Sequence, residues 1–369
     1  MFARILKRQD CPAKSEIAER LLGVIFSLKD APISEIAEKA GVGRTTAAKL
    51  LSYFTERGVV VKAGKGSSTY EGGKRPELYS PNFNCGYIMS VLIEREALRI
   101  VMYNLGGDAV DVCKIACEAG CSVSSIAENI FFSANLICEK NEIDRSSILS
   151  IQMIYDILPD LKIDKRVLGE LICEKFGGDI SLDFYSSSKA HAAAHSSLLS
   201  PFGKVLVIDL CADGCVAEYQ LGAVGESGAV GSGNAVDSSF SLGADCTFRA
   251  IDWRGYLLLL EDGGVSITLG ELLRQKEQEY SQCDPRFWQE TAPHLAVCIH
   301  NISRICGAGA AMILVDSEDV APALSELLTD ACSSFAKDGG ESVKIFLRRR
   351  NFGDDMQRSI ILSNDAMRH

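Results

Sequence analysis

The chain predicts an α/β protein in which an N-terminal winged helix-turn-helix precedes a larger α/β body. Charge is the first indication. Residues 1–80 hold 14 lysines and arginines against nine acids, a net of +5, whereas the remainder carries −16 of the overall −11. The second is local order: the first eighty residues show amphipathic helical runs separated by glycine turns, then two strand-like runs around a glycine- and lysine-rich tip. From residue 86 onward, apolar strand-like runs alternate with helical stretches, the pattern of mixed sheets covered by helices.

Composition bounds what such a chain can be. At 369 residues it is long enough for two or three domains with their own cores, and 47% hydrophobic with 24% charged residues suits a soluble globular protein. No apolar run is long enough to span a bilayer, and the start "MFARILKRQDCPAK" lacks a signal-peptide core. A cytoplasmic protein without a membrane partner is expected. The 14 cysteines read as small buried hydrophobes. Cys113, Cys117 and Cys121 in "CKIACEAGC" are four apart, which is not a zinc-knuckle spacing, so no metal is expected there. No Walker loop, dinucleotide fingerprint or G-x-S-x-G elbow is present, and no cofactor is implied.

In the basic segment, "SEIAERLLGVIFSL" places Ile17, Leu21, Leu22, Ile25 and Leu28 at helical spacing. Pro32 interrupts the chain, and Ser34 is the candidate N-cap of a short helix "EIAEKA". After "GVG" comes a second amphipathic run, "RTTAAKLLSYFTERG", with Ala47, Leu50, Leu51 and Phe54 inward and Gly58 as its C-terminal stop. Helix, glycine turn and helix in this order make a helix-turn-helix. "VVVKAG" and "PELYSPN" then flank the tip "KGSSTYEGGKR" as the strands of a wing.

In such a module the start of the second helix enters the major groove of double-stranded DNA. Arg44, Thr45, Ala48 and Lys49, with Thr46 beside them, would then meet base edges or flanking phosphates. Lys62, Lys65, Lys74 and Arg75 on the wing would meet the backbone or the minor groove. Phosphate contacts position a protein, and only the helix residues could read sequence. Protein–protein winged helices exist, but the positive charge and the small polar residues opening the helix favour DNA.

In the acidic body, "YIMSVLIEREALRIVMYNLGGDAV", "SILSIQMIYDIL", "KVLVIDLC" and "AAMILVDS" read as strands. "SIAENIFFSANLICEKN", "KRVLGELICEKFG", "KAHAAAHSSLL" and "PHLAVCIHNISRICG" read as helices. The run "SSSKAHAAAHSS" sets His191 and His195 one helical turn apart, as paired metal ligands are set. A zinc-protease helix has a glutamate after its first histidine, and here that residue is Ala192. Plain packing is favoured, ahead of an altered ligand pocket at Ser188, Lys189 and His191 and of a metal. The arginines Arg348 to Arg350 in "FLRRRNFG" read as a solvated strand end or helix start rather than an anion site.

The order of these elements, from about residue 15 to 362, resembles the ROK family (repressors, open reading frames and kinases). The resemblance rests on "GGKRPELYSPNFNCGYIMSVLI" at the junction and "VLGELICEKFGGDISLDFYSSSKAHAAAHSS" around the family's catalytic aspartate. It rests also on the hairpin "KVLVIDLCADGCVAEYQLG" and on the late helix and strand "LAVCIHNISRICGAGAAMILV". It implies two actin-like, ribonuclease-H-like lobes behind the winged helix. The expected domains are 1–80, 81–198 and 199–369, with a C-terminal helix able to pack back on the first lobe.

The family's functional motifs are not matched. Where active members have an aspartate and Gly-Gly-Thr at a phosphate hairpin, this chain has "LIERE", with Leu92 for the acid and Glu94, Arg95 and Glu96 following. The catalytic Glu-Asn-Asp stretch aligns with Ser187, Ser188 and Lys189, and a protonated lysine cannot take a proton from a sugar hydroxyl. The adenosine glycines align with Val315 and Asp316, the sugar glutamate with Ala235 and the zinc histidine with Ser238, and no cysteine cluster follows. Loss of all of these argues against sugar phosphorylation. The expectation is a DNA-binding regulator of repressor type, a homodimer or higher homo-oligomer on operator DNA, whose inactive body dimerises and either senses a small-molecule, sugar-like effector or serves as a scaffold with no ligand. The alternative is a divergent ATP-dependent sugar kinase.

Overall fold

The computed structural model describes residues 5–6, 15–28, 30–66, 75–94, 97–117, 121–155, 164–177, 180–210, 214–220, 245–259, 266–281, 284–315, 321–336, 343–350, 353 and 357. Three helices open the chain: α1 (Ser15–Ser27), α2 (Ile33–Lys39) and α3 (Arg44–Glu56). Helix α3 buries Ala47, Leu50, Leu51 and Phe54, the residues its periodicity assigns inward. It stops at Gly58, whose φ of 70° is open to glycine without strain, and Val59 N–H closes the turn onto Phe54 O at 2.9 Å.

Ser34 does not cap α2; Pro32 occupies the N-cap position and no side-chain cap bond forms. The same Pro32 ends the two-residue strand β1 (Ala31–Pro32), whose partners lie on β3 (Glu77–Pro81). Extended backbone at a proline serves both roles, because its ring fixes φ and it needs no amide partner. Strand β2 (Val60–Lys65) completes a three-stranded sheet of order β1-β3-β2. The tip of its hairpin, residues 67–74, lies outside the described residues and takes Lys74 with it.

The body holds two five-stranded sheets of identical topology. The first contains β4 (Tyr87–Ile93), β5 (Ala97–Asn104), β6 (Ala109–Ala116), β7 (Ile148–Tyr155) and β8 (Ser181–Ser186), in the order β6-β5-β4-β7-β8. The second contains β9 (Lys204–Asp209), β10 (Gly214–Gln220), β11 (Asp245–Ile251), β14 (Ala310–Val315) and β15 (Lys344–Arg349), in the order β11-β10-β9-β14-β15. In each, three antiparallel strands are followed by two parallel ones. Helices α4 (Val123–Lys140) and α5 (Lys165–Phe176) make the crossovers of the first. Between β11 and β14 the second inserts the hairpin β12 (Leu257–Leu259) and β13 (Ser266–Thr268), then α8 (Leu269–Glu279) and α9 (Pro285–Cys306). Helix α10 (Ala321–Ala336) leads to β15.

Between the sheets, α6 (Ser187–Ala194) and the short α7 (Ser196–Leu199) break at His195 the single helix that the sequence suggests. Helix α9 starts eight residues before the expected stretch, at the Asp284 cap, and runs through Pro293. Its apolar face is strong enough to absorb the missing amide: Phe287, Trp288, Ala292, Leu295, Ala296 and Ile299 are all buried. The triple arginine ends a strand, and the buried cores are apolar, with the Cys298 thiol pushed by burial up to about 12 and Cys332 to about 11.

The basic segment and the first sheet share one apolar cluster. Leu21, Leu22, Ile25 and Leu51 belong to it together with Ile88, Val101, Tyr103 and Leu149 of the sheet and Leu105 in the turn after β5. The strap 82–86 binds both sides. Asn82 donates its amide N–H to Val59 O (3.0 Å) and its side chain to Gly58 O (2.6 Å), while Phe83 O accepts from Leu105 N–H (2.9 Å). Gly86 passes so close to Leu149 that a Cβ there would lie 2.5 Å from its Cδ1.

Candidate functional site

The outer face of α3 carries the residues expected to meet DNA. Arg44, Thr45, Thr46, Ala48 and Lys49 are all exposed, while Ala47, Leu50 and Leu51 between them face the core. The helix has no side-chain cap and no acid in its first turn, so its N-terminal N–H groups and dipole face outward. On the hairpin, Lys62, Lys65 and Arg75 are exposed. Lys62 is held by Glu77 at 3.0 Å, and this hydrogen bond with its charge raises the lysine above its ordinary value.

A second constellation lies where the two sheets meet, and charge patterning alone did not single it out. Helix α6 leaves β8 directly and packs against β9 and β10 of the second sheet. Its first residue, Ser187, donates its hydroxyl to Asp209 Oδ2 at the end of β9. Arg350 Nε reaches the same oxygen at 2.9 Å from the end of β15. Asp209 is 0% exposed, and burial pulls the Arg350 guanidinium below its ordinary value. Tyr219 of β10 donates its hydroxyl to Ala192 O at 2.8 Å, a second tie from the second sheet to α6.

The residues considered for an altered ligand pocket lie on α6 beside this contact. Ser188 and His191 are buried and Lys189 is half-buried. His191 and His195 stack at 6.3 Å with rings 9° from parallel, but each directs Nδ1 to a backbone carbonyl of its own helix, Ser187 O and His191 O, at 2.9 Å. Those bonds orient the rings along the helix. Among the described residues no group of three or more histidines, cysteines or acids converges. Arg348 and Arg349 are exposed at the strand end, as expected for a solvated run, whereas Arg350 turns inward to Asp209. The stretch aligned with the sugar and zinc residues, Ala235 and Ser238, lies outside the described residues, as do Arg95, Glu96 and Asp316. Leu92 is buried in β4.

The second sheet's helical side encloses a pocket of about 610 Å³ lined by Leu210, Arg254, Thr268, Arg274, Glu277 and Trp288, among others. None of Ser188, Lys189 and His191 lines it. Arg254 donates to Leu210 O at 2.5 Å and lies 5.1 Å from the Trp253 ring. No sequence motif marked this pocket, because its residues come from four separate stretches of the chain.

No helix among the described residues is long and apolar enough to cross a membrane. No family model and no curated protein matches the chain. Among solved structures, a ROK family transcriptional regulator, a homologue of the E. coli MLC protein, matches 95% of this chain and 95% of its own, with a TM-score of 0.60 and 11% identity. A ROK hexokinase from Thermus thermophilus matches 75% of this chain and 98% of its own, at 13% identity and a TM-score of 0.47. A ROK family glucokinase from Streptomyces griseus, in complex with glucose and AMPPNP, matches 74% and 98%, at 11% identity and 0.42. At such identities only architecture is compared, and over nearly its whole length this chain has the fold of the ROK family transcriptional regulator.

Proposed function

We propose that the chain is a DNA-binding transcriptional regulator of repressor type, belonging with the ROK regulators, with a catalytically inactive kinase-like body. The observation that carries this reading is the outer face of α3, five exposed small, polar or basic residues at an uncapped helix start with no acid in its first turn. Helices α1 to α3 with the hairpin β2–β3 then act as a winged helix-turn-helix, Arg44 and Lys49 reading or flanking base edges and Lys65 and Arg75 meeting phosphates. Lys62 must exchange Glu77 for a phosphate to join them. The body forms a two-fold dimer that spaces two recognition helices over an operator palindrome.

Catalytic silence is supported by the interlobe contact. A kinase needs a free carboxylate for proton or metal work, and Asp209 is buried with its oxygen occupied by Arg350 and Ser187. The shared apolar cluster supports a stiff link between α1–α3 and the first sheet, so that rearrangement of the lobes would move the recognition helices.

Selection of bound DNA by the full chain at fixed salt tests the reading. Arg44→Ala is expected to weaken the selected site by about tenfold to a hundredfold and to spare random DNA. Lys65→Ala should weaken both alike and lower the salt slope by about one. Equal losses on both DNAs for Arg44→Ala would remove it as a base reader. ATP turnover with any sugar of a hexose and amino-sugar panel would overturn catalytic silence.

A further inference from the structure

We propose that the pocket on the second lobe binds a small organic anion, a carboxylate or phosphate carried on a planar apolar body. Its volume of about 610 Å³ lies in the range of small-molecule sites. Two arginines line it, Arg254 before β12 and Arg274 on α8, against one acid among the described lining residues, Glu277. The half-buried Arg254 is held at one nitrogen by Leu210 O, while its Nε is buried without a hydrogen-bond partner among the described residues. A buried cationic donor left unpaired is costly, and an oxyanion is the acceptor that satisfies it best.

The start of α8 does not take that role. The Thr268–Glu271 capping box uses its first N–H groups, and Gly270 N–H is bonded to Arg254 O at 2.8 Å. The charge available to a ligand is therefore that of the guanidinium groups. Leu210, Leu273, Phe287 and Trp288 add apolar surface to the lining, with Phe287 and Trp288 edge-to-face at 4.8 Å. An anionic head and a flat apolar body match this mixed lining, whereas a neutral sugar would bring no counter-charge for the two guanidinium groups.

The inference goes beyond the regulatory reading, and its test uses no DNA, so either can fail alone. The chain's two tryptophans are Trp288 in the pocket wall and Trp253 beside Arg254, so intrinsic fluorescence reports on the site. The full chain is titrated with phenyl phosphate, benzoate and benzyl alcohol, by fluorescence and by calorimetry. Saturable binding of phenyl phosphate or benzoate is expected, the stronger of the two naming the anion. Benzyl alcohol should bind at least about tenfold more weakly, and Arg274→Ala should cost the anion about tenfold or more. Arg274 is exposed, so its removal leaves folding intact and the result interpretable. Equal binding of benzyl alcohol, an unchanged affinity in Arg274→Ala, or no binding of either anion would each overturn the proposal.

Discussion

The two five-stranded sheets share strand order and direction, yet they treat the end of their first strand in opposite ways. In the first sheet β4 closes with the buried Leu92 and Ile93, and the acid that follows, Glu94, meets Lys114 at 3.5 Å in a solvent-exposed pair. In the second, β9 closes with an acid that is itself buried, and Asp209 takes its countercharge from Arg350 and a hydroxyl from Ser187. Topology fixes where a strand ends; solvent access decides what an acid there requires. A hydrated carboxylate needs no partner, while a buried one must be paired, and the pairing uses up the group.

This difference predicts very unequal responses to removing the cation. Arg350→Ala leaves Asp209 buried and short of its charge partner, which should cost about 3–5 kcal/mol of stability. Lys114→Ala removes only an exposed pair and should cost less than about 1 kcal/mol. Chemical denaturation of the two variants in parallel measures both. If Arg350→Ala were as mild as Lys114→Ala, the buried contact would not be what ties α6 to the second sheet.

The first sheet is distinguished at its other end, where the turn after β5 clasps the strap from the basic segment. Asn104 Oδ1 accepts from Gly106 and Asp108 N–H at 2.9 Å each, and its Nδ2 donates to Asn84 Oδ1 at 3.2 Å. Asn104→Ala strands two backbone donors and cuts the link to the strap, which should cost about 1–3 kcal/mol. Hydrogen exchange should then quicken over residues 105–108 and the strap together. Faster exchange in the turn alone would show that the strap is held by Phe83 and the apolar cluster instead.

Much of this was legible from local pattern. The inward positions of α3, the Gly58 stop, the strands β4, β7, β9 and β14 and the split in charge all follow from periodicity and turn chemistry within single segments. The start of α9 was hidden because Pro293 looks like a terminator, and only the packing of Phe287 and Trp288 shows that it is not. The Ser187–Asp209–Arg350 contact was hidden for another reason. Its last two members are 141 residues apart, and each looks ordinary alone, a strand-end acid and one of three consecutive arginines. Long-range pairing leaves no spacing to read.

The His191–His195 pair offers the finest test, because a metal site and a packed stack predict different titrations. Burial lowers the His195 pKa from its ordinary 6.5; the bond to His191 O opposes this and the nearby Arg348 charge adds to it. The neutral ring is therefore the folded form, with Nδ1–H donating to His191 O. As pH falls below 6.5 the unfolded chain takes up this proton first. The stability due to His195 is thus complete above that value and is lost as pH falls through the lower folded value. His195→Gln should flatten this small acid slope, and Arg348→Ala should narrow its window by letting the folded pKa rise. Following the imidazole protons by NMR checks both: one ring titrating below its ordinary value, and shifting upward in Arg348→Ala, is the signature of packing. Zinc-dependent broadening of both rings at micromolar metal would instead mean that the stack is a ligand pair.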